Sequence, residues 1–189
     1  MMKRAEGPVI GSRLRRRLQN PYKLLERIGL ASGHNFLDIG CGRGFLTLPA
    51  AHVVGVEGRV YAVDTSPDYL DDLRRQVEKL GVENVEIIQT DAAELNGVPE
   101  MGVNRAAMIF SLHHIDRRAD TLSLLHRKLR PDASIIVVDP IKSRMLGHGT
   151  RPEEMLNLFK KLGYSVNYFG KGIFTWTAIL APQNSGKLL

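Results

Sequence analysis

Residues 36–45 read FLDIGCGRGF, an apolar strand ending that runs directly into three glycines at alternate positions. Gly40, Gly42 and Gly44 allow backbone turns that residues with a Cβ atom rarely adopt. A glycine-rich turn between a strand and a helix also lets the backbone approach a bound ligand closely. The stretch therefore predicts a cofactor-binding loop after the first strand. The identity of the cofactor has to be inferred from residues elsewhere in the chain.

Short runs rich in apolar and β-branched residues recur beyond this stretch, with helix-like or turn material after each. The clearest helix follows the second run, where Ser66 can cap it, Pro67 fits its first turn and Gly81 ends it. Five alternations of strand and helix indicate a parallel sheet with helices on both faces. The five runs are NFLDIG (35–40), RVYAVD (59–64), VEIIQT (85–90), AAMIFS (106–111) and SIIVVD (134–139).

The end of the chain breaks this alternation. Two strand-like runs, YSVNYFG (164–170) and IFTWTAILAP (173–182), follow each other with no room for a crossover helix, so they should pair as an antiparallel hairpin. The predicted fold class is α/β. It is a Rossmann-like, doubly wound sheet of about seven strands, five parallel plus the C-terminal hairpin, with helices on both faces.

Composition limits the class of protein. The chain has 189 residues, of which 43% are hydrophobic, enough for a core without disulfides or metals. The single cysteine excludes an internal disulfide and a multi-cysteine zinc site, and no metal is expected. The sequence shows no apolar run of membrane-spanning length and no signal peptide, so we expect a soluble, cytoplasmic protein.

The net charge of +6 comes from the N-terminus, because residues 1–30 hold eight basic and two acidic residues while the rest is balanced. Residues 1–30 are therefore predicted as a basic helical arm, and residues 31–189 as one domain. The arm could attract RNA, a phosphorylated small molecule or an anionic surface. Alternatively, it is a basic helix that packs its leucine side on the domain.

The residues at the strand ends distinguish the possible cofactors. Asp64, at the end of the second run, is placed to accept hydrogen bonds from two ribose hydroxyls. A dinucleotide-binding G-x-G-x-x-G pattern would need a glycine at position 45, which is Phe45. Asp38, ahead of the glycines, would repel a pyrophosphate but suits a cationic amino-acid end. S-adenosylmethionine has an ammonium and a sulfonium and no phosphate, so it fits better than a nicotinamide dinucleotide.

With these motifs the sequence resembles the class I S-adenosylmethionine-dependent methyltransferases, particularly the small "methyltransferase type 11" and ubiquinone/menaquinone-biosynthesis group. The resemblance covers about residues 34–140, and the terminal hairpin matches the antiparallel seventh strand of that family. The segments that carry it are LDIGCGRGFLTLPAA (37–51), VYAVDTS (60–66), IIQTDAAEL (87–95) and FSLHHI (110–115).

The resemblance implies a role for each strand-end residue. Asp38 would hold the amino end of the cofactor, and Asp64 its ribose hydroxyls. Asp91 would accept from the adenine amino group, or instead cap a helix that begins at AAEL (92–95). The implied S-adenosylmethionine-binding set is Asp38, Gly40, Cys41, Gly42, Gly44, Asp64, Thr65, Ser66, Asp91, Ala92, Phe110 and Ser111. Cys41 is interpreted as a small turn residue and not as a nucleophile.

His113 and His114 are the candidate catalytic residues. At a strand end consecutive side chains point to opposite faces, so at most one of them should face the substrate. A histidine there could take a proton from the methyl acceptor, although methyl transfer depends mainly on positioning and often needs no strong base. The alternative is that one histidine is structural.

The expected function is methyl transfer to O, N or C of a small molecule, leaving S-adenosylhomocysteine. The chain lacks the N/D-P-P-Y stretch of enzymes that methylate base amino groups and the Pro-Cys of cytosine-C5 enzymes. Residues 139–154 (DPIKSRMLGHGTRPEE) could form a lid with Lys142 and Arg144 facing an anionic group, or a plain surface loop. The alternatives are an RNA-directed methyltransferase or RNA-binding protein and, less favoured, a nicotinamide oxidoreductase.

Overall fold

A single seven-stranded sheet organises the protein in the computed structural model, which describes residues 20–183. Its order is β3-β2-β1-β4-β5-β7-β6, with β1 to β5 parallel, β7 antiparallel to β5, and β6 antiparallel to β7. The predicted five parallel strands and terminal hairpin are confirmed. The strands are β1 (Asn35–Ile39), β2 (Arg59–Asp64), β3 (Val85–Gln89), β4 (Val103–Ile109), β5 (Leu129–Pro140), β6 (Tyr164–Lys171) and β7 (Thr175–Pro182).

Residues 20–183 form five α-helices, two of which have a side-chain N-cap. In the third helix, the Ser66 hydroxyl accepts a hydrogen bond from the Tyr69 N–H, and Gly81 ends the helix with a left-handed φ of 62°. These bounds confirm the helix predicted after the second strand. The helices are α1 (Pro21–Arg27), α2 (Thr47–Val54), α3 (Pro67–Leu80), α4 (Arg118–Lys128) and α5 (Pro152–Lys161).

Alternate side chains of β1 enter two different cores, one on each face of the sheet. Phe36 packs on the face covered by α1 and α2, and α3 lies over the same face at β2. Leu37 packs on the opposite face, which α4 and α5 cover. Both faces are therefore buried, as a parallel sheet requires.

One element of the predicted alternation is wrong: residues 90–102, between β3 and β4, form turns and no helix. Leu95, Gly97 and Met101 have φ angles of 44°, 86° and 50°, which a right-handed helix cannot contain. Leu95 is nevertheless fully buried in the core on the Leu37 face. The segment covers the sheet as a loop because its turn-forming sequence, NGVPEMG (96–102), prevents a helix.

Only the end of the predicted N-terminal arm belongs to the described residues, and residues 1–19 lie outside them. Leu24 and Leu25 of helix α1, and Ile28 directly after it, are buried in the core that contains Phe36. The apolar side of this helix therefore packs on the sheet. Among the described residues, no helix has both the length and the apolar character to cross a membrane.

The strand order changes direction between β1 and β4. The loops that follow these two strands therefore run in opposite directions from the carboxyl edge of the sheet. Ligands of doubly wound sheets bind at such a point.

Candidate functional site

The glycine loop packs directly against the end of β4. Gly40 and Cys41 both donate their N–H groups to the Val63 carbonyl, at 2.8 and 3.0 Å, which ties the loop to β2. Gly40 has a φ of 74°, and a Cβ atom there would lie 2.3 Å from the Cβ of Ser111. The Ser111 hydroxyl donates to the Ile39 carbonyl at 2.7 Å. Position 40 therefore has to be glycine for the loop and the β4 end to meet.

Gly42 differs from its neighbours because its missing side chain leaves open space. A Cβ atom on Gly44 would come within 2.5 Å of Leu73 in α3, so that glycine serves helix packing. A Cβ on Gly42, which has a φ of 53°, would meet nothing within 4 Å. The open side of the loop at Gly42 is where a cofactor has room to approach the backbone.

Asp64 links the two loops that border this space. One carboxylate oxygen accepts the Gly42 N–H and the other accepts the Ser66 N–H, each at 2.9 Å. A carboxylate offers about four lone-pair sites, so each oxygen can accept a further hydrogen bond. Thr65, between them, is exposed. The arrangement presents a fixed negative charge at the carboxyl end of β2.

Asp38 and Cys41 are buried behind the loop. The Asp38 carboxylate accepts a hydrogen bond from the Thr47 hydroxyl at 2.7 Å, which joins β1 to the first turn of α2. Burial, and then the charges of Asp38 and Asp64, raise the pKa of the Cys41 thiol well above its usual range. The thiol therefore stays protonated, which fits its interpretation as a small turn residue.

Asp91 follows β3 at the same edge. Its Oδ1 accepts the Ala93 N–H at 2.7 Å and lies 3.7 Å from the Arg117 guanidinium. Residues 92–94 form a turn, so the helix that Asp91 would cap is not there. Half of the Asp91 side chain is exposed. Ala92 is partly buried and packs against the core. A role for either residue toward adenine stays a prediction.

Phe110 makes the turn that ends β4. It has a φ of 57°, a left-handed conformation that is rare for a bulky residue, and its N–H donates to the Val138 carbonyl at 2.7 Å. The strand itself ends at Ile109. Backbone strain of this kind persists where the surroundings enforce it and is concentrated at ligand sites.

His113 and His114 lie side by side, and the expectation that they face opposite ways was wrong. Because β4 ends at Ile109, both histidines belong to a short 3-10 helix over residues 112–114, where side chains no longer alternate. Their ring centroids are 3.9 Å apart. Both rings can therefore contribute to the same site.

Helix α4 holds the backbone of this histidine turn. The Arg118 guanidinium donates to the Leu112 carbonyl at 3.0 Å and to the His113 carbonyl at 3.1 Å. Arg118 thus holds the turn, in addition to the contact between Ser111 and the glycine loop.

The structure adds three functional candidates that sequence reasoning missed: Asp139, Thr150 and Trp176. The carboxylate of Asp139, at the end of β5, contacts His113 Nδ1 and the Thr150 hydroxyl, both at 2.8 Å. The Trp176 indole N–H donates to Thr150 Oγ1 at 2.9 Å. A signal for Asp139 was present, since an acid ends the apolar run SIIVVD at the same sheet edge as Asp64.

His114 is less basic than an ordinary histidine. Partial burial lowers its pKa most, and the neighbouring His113 and His148 lower it further, while Asp139 and Asp64 act in the opposite direction. Its ring is therefore mainly neutral near pH 7.

The loop over residues 141–150 is tied to the terminal hairpin. One guanidinium nitrogen of Arg144 donates to the Gly172 and Ile173 carbonyls, at 2.9 and 2.8 Å. The tip residue, Leu146, is fully exposed. Whether this loop closes over an acceptor, with Lys142 or Arg144 toward an anion, stays a prediction.

Within residues 20–183, no group of three or more His, Cys, Asp or Glu side chains is arranged to hold a metal ion.

Comparisons with known proteins agree with this geometry. Residues 36–132 match the methyltransferase domain family. A probable cobalt-precorrin-6B C(15)-methyltransferase of Sulfolobus acidocaldarius is 41% identical over 71 residues, which are 38% of this chain and 37% of that protein. A demethylmenaquinone methyltransferase of Geobacillus stearothermophilus is 26% identical over 133 residues, 70% of this chain and 56% of that protein. The chain thus spans about half or less of the length of these relatives.

A crystal structure of an S-adenosylmethionine-dependent methyltransferase from Aquifex aeolicus superimposes with a TM-score of 0.77 and 27% identity, covering 88% of this chain and 91% of that one. Neither an RNA-binding protein without methyltransferase chemistry nor a nicotinamide oxidoreductase gains support from these matches. The chain belongs to the methyltransferase domain family, among the class I S-adenosylmethionine-dependent methyltransferases.

Proposed function

We propose that the carboxyl edge of the sheet binds S-adenosylmethionine and that the protein transfers its methyl group to a small molecule. The observation that carries the proposal is the Asp64 carboxylate, fixed by the N–H groups of Gly42 and Ser66 beside the open side of the glycine loop. Its remaining lone pairs suit the paired hydroxyls of a ribose. When bound, S-adenosylmethionine supplies an activated methyl group.

The other strand ends are assigned around this anchor. Gly40, Cys41 and Gly42 border the ribose and methionine portion, and Phe110 and Ser111 line the pocket beside the sulfonium. Asp38 acts on the amino end of the cofactor from its buried position, through the loop or an intervening water. The adenine end is assigned to Thr65, Ser66, Asp91 and Ala92, and Gly44 keeps the loop against α3.

A small-molecule acceptor is favoured by the relatives. Their names give a cobalt-precorrin and a demethylmenaquinone as substrates, both of them small molecules. The basic residues on which an RNA substrate would depend belong mainly to residues 1–19, outside the described part of the chain. We assign the methyl acceptor to the space beside His113 and His114, next to the loop over residues 141–150.

Titration calorimetry on the full chain tests the cofactor assignment. We expect S-adenosylmethionine and S-adenosylhomocysteine to bind and NAD not to bind. Asp64→Asn should weaken binding by about 10- to 100-fold, since hydrogen bonds to a charged group contribute about 1.5–3 kcal/mol each. Asp71→Asn is the matched control, because Asp71 is an exposed acid of α3 that pairs with Arg74.

Unchanged affinity in Asp64→Asn, or a preference for NAD, would contradict the assignment. The acceptor is then sought by incubating the protein with methyl-labelled S-adenosylmethionine and a small-molecule cell extract. A labelled product found by mass spectrometry identifies the acceptor. Label found only in RNA or protein would contradict the small-molecule proposal.

A further inference from the structure

A buried chain of hydrogen bonds ends at His113. It runs from the Trp176 indole to Thr150, from Thr150 to one oxygen of Asp139, and from the other oxygen to His113 Nδ1. The three distances are 2.9, 2.8 and 2.8 Å. Trp176 and Asp139 are fully buried, and Thr150 is 4% exposed. Water therefore cannot replace these hydrogen-bond partners, and the protein itself fixes the order of the hydrogen bonds.

The direction of the chain follows from its first member. An indole N–H can only donate, so the Thr150 oxygen accepts from Trp176 and the Thr150 hydroxyl proton donates to Asp139. An ionised Asp139 can only accept, so His113 presents Nδ1–H to it. In a neutral imidazole of this tautomer, Nε2 has no proton and is an acceptor.

The position of His113 suits a reaction at the proposed methyl site. It lies two residues after Ser111, whose side chain contacts the glycine loop at Gly40 and Ile39. Arg118 holds its carbonyl, Asp139 holds its ring, and 11% of the side chain remains exposed. The ring is thus fixed at Nδ1, and part of the side chain remains exposed.

We propose that His113 accepts the proton of the methyl acceptor through Nε2 and that Asp139 is the positioning residue that fixes this tautomer. The acceptor oxygen or carbon bonds to the methyl carbon while the methyl–sulfur bond breaks and its electron pair stays on sulfur. The acceptor proton moves to Nε2, so the positive charge passes from the sulfonium to the imidazole. The acceptor is therefore a hydroxyl compound or an acidic C–H compound. The inference rests on the proposed methyltransferase activity.

Asp139→Asn is the decisive variant. Its single side-chain oxygen is needed by the Thr150 hydroxyl, because Trp176 already donates to the Thr150 oxygen. The amide NH₂ then faces His113 and donates to Nδ1, which leaves the proton on Nε2. The variant keeps the shape of the site but converts Nε2 from an acceptor into a donor.

The tautomer is measured by nitrogen NMR of ¹⁵N-histidine-labelled full chain saturated with S-adenosylhomocysteine. We expect the Nδ1–H form of His113 in the wild type and the Nε2–H form in Asp139→Asn. Asp132→Asn is the matched control on the same strand, since Asp132 is exposed and lies away from His113. An Nε2–H form in the wild type, or no change in Asp139→Asn, overturns the assignment to Asp139.

Turnover is measured with the acceptor found in the extract screen. Asp139→Asn and His113→Gln should each lower kcat about 10²- to 10⁴-fold, the usual contribution of a general base, with little change in KM. Because the two residues act as one unit, the double variant should be no slower than His113→Gln alone. A kcat within threefold of wild type, or multiplicative losses in the double variant, overturns the proposal.

Two further measurements separate possible failures. S-adenosylhomocysteine affinity should stay within twofold in Asp139→Asn, so loss of binding would implicate the cofactor site instead of the base. If Asp139→Asn does not fold, Thr150→Val removes the hydroxyl that holds the second oxygen of Asp139, and Thr150→Ser restores it. We expect the Val variant to lower kcat and the Ser variant to recover it. Equal kcat in both overturns the role of the chain of hydrogen bonds.

Discussion

Gly42 differs from Gly40 and Gly44 in the space around its missing side chain. Gly40 and Gly44 have no space for a Cβ atom because Ser111 and Leu73 occupy it, whereas a Cβ on Gly42 would point into open space. Packing within the protein therefore gives no reason for glycine at position 42 beyond its left-handed φ. A ligand that needs this space gives the second reason.

Gly42→Ala should therefore lower S-adenosylmethionine affinity by more than it lowers stability. We expect a stability loss of about 1 kcal/mol from the left-handed φ, and at least a tenfold loss of affinity in calorimetry. Gly81→Ala is the matched control, since Gly81 has a similar φ, has no neighbour within 4 Å, and caps α3 away from the site. Equal affinity losses in the two variants would contradict the placement of the cofactor.

His114 should make stability depend on pH. Its lowered pKa means that below about pH 6.5 the unfolded chain binds this proton more readily than the folded protein does. Stability is therefore fully present above that pH and falls as the pH decreases through the window below it. In His114→Gln, the loss of unfolding free energy between about pH 7.5 and 5.5, measured by urea titration, should be smaller than in the wild type.

An equal loss in both proteins would contradict this role of His114. Besides burial, the charges that act on its pKa belong to His113, His148, Asp64 and Asp139.

At the scale of the element, the histidine turn depends on α4. Arg118 holds the Leu112 and His113 carbonyls, so the turn keeps its shape only while α4 stays in place. Its neighbour Arg117 makes long ion pairs, at 3.7 and 3.9 Å, to Asp91 and Glu94.

Arg118→Met should therefore destabilise the protein by about 1–3 kcal/mol, because two carbonyls lose a charged donor. Arg117→Met should change stability by less than about 1 kcal/mol, as expected for exposed ion pairs. Urea unfolding of both variants checks the difference. Similar values for the two would show that the turn is held mainly by its own backbone.

The elements also show what sequence patterns can and cannot predict. The strands, α3 and the glycine loop depend on residues close together in the sequence, such as Ser66, Gly81 and Gly40. Local sequence patterns were therefore sufficient to predict these elements. The series of hydrogen bonds from Trp176 to His113 depends on the register in which β7 pairs with β5. This register places Trp176 opposite Asp139. No local pattern encodes that register.

Two sequence-based predictions were wrong because the position at which an element ends was misjudged. The strand β4 stops at Ile109, before the histidines, so their side chains do not alternate as the strand rule required. The segment after β3 buries Leu95 from a loop, because packing of one leucine does not require a helix. The position at which an element ends depends on tertiary contacts as much as on propensity.

At the scale of the whole molecule, the terminal hairpin completes the sheet and the site together. Strand β7 covers the edge of β5 and buries Trp176, Ala178 and Leu180 completely. Its removal would expose a long apolar strand edge, a form of surface that aggregates.

Truncation after residue 163 should therefore abolish the cooperative thermal transition and give aggregates in size-exclusion chromatography. Each large side chain lost from the core contributes about 1.5–3 kcal/mol, so the loss exceeds what a domain of this size can tolerate. Deletion of residues 184–189 alone is the control and should leave the melting curve unchanged. A truncated chain that melts cooperatively near the wild-type temperature would contradict this role of the hairpin.

Trp176 is the one tryptophan of the 189-residue chain, and its indole N–H begins the series of contacts that ends at His113. All tryptophan fluorescence of the protein therefore originates from a single buried indole that is connected by hydrogen bonds to the proposed reacting group. Emission wavelength and lifetime should follow changes at the far end of that connection when a ligand enters. The molecule thus carries an intrinsic optical probe of its own chemistry, and no attached dye is needed to watch the site.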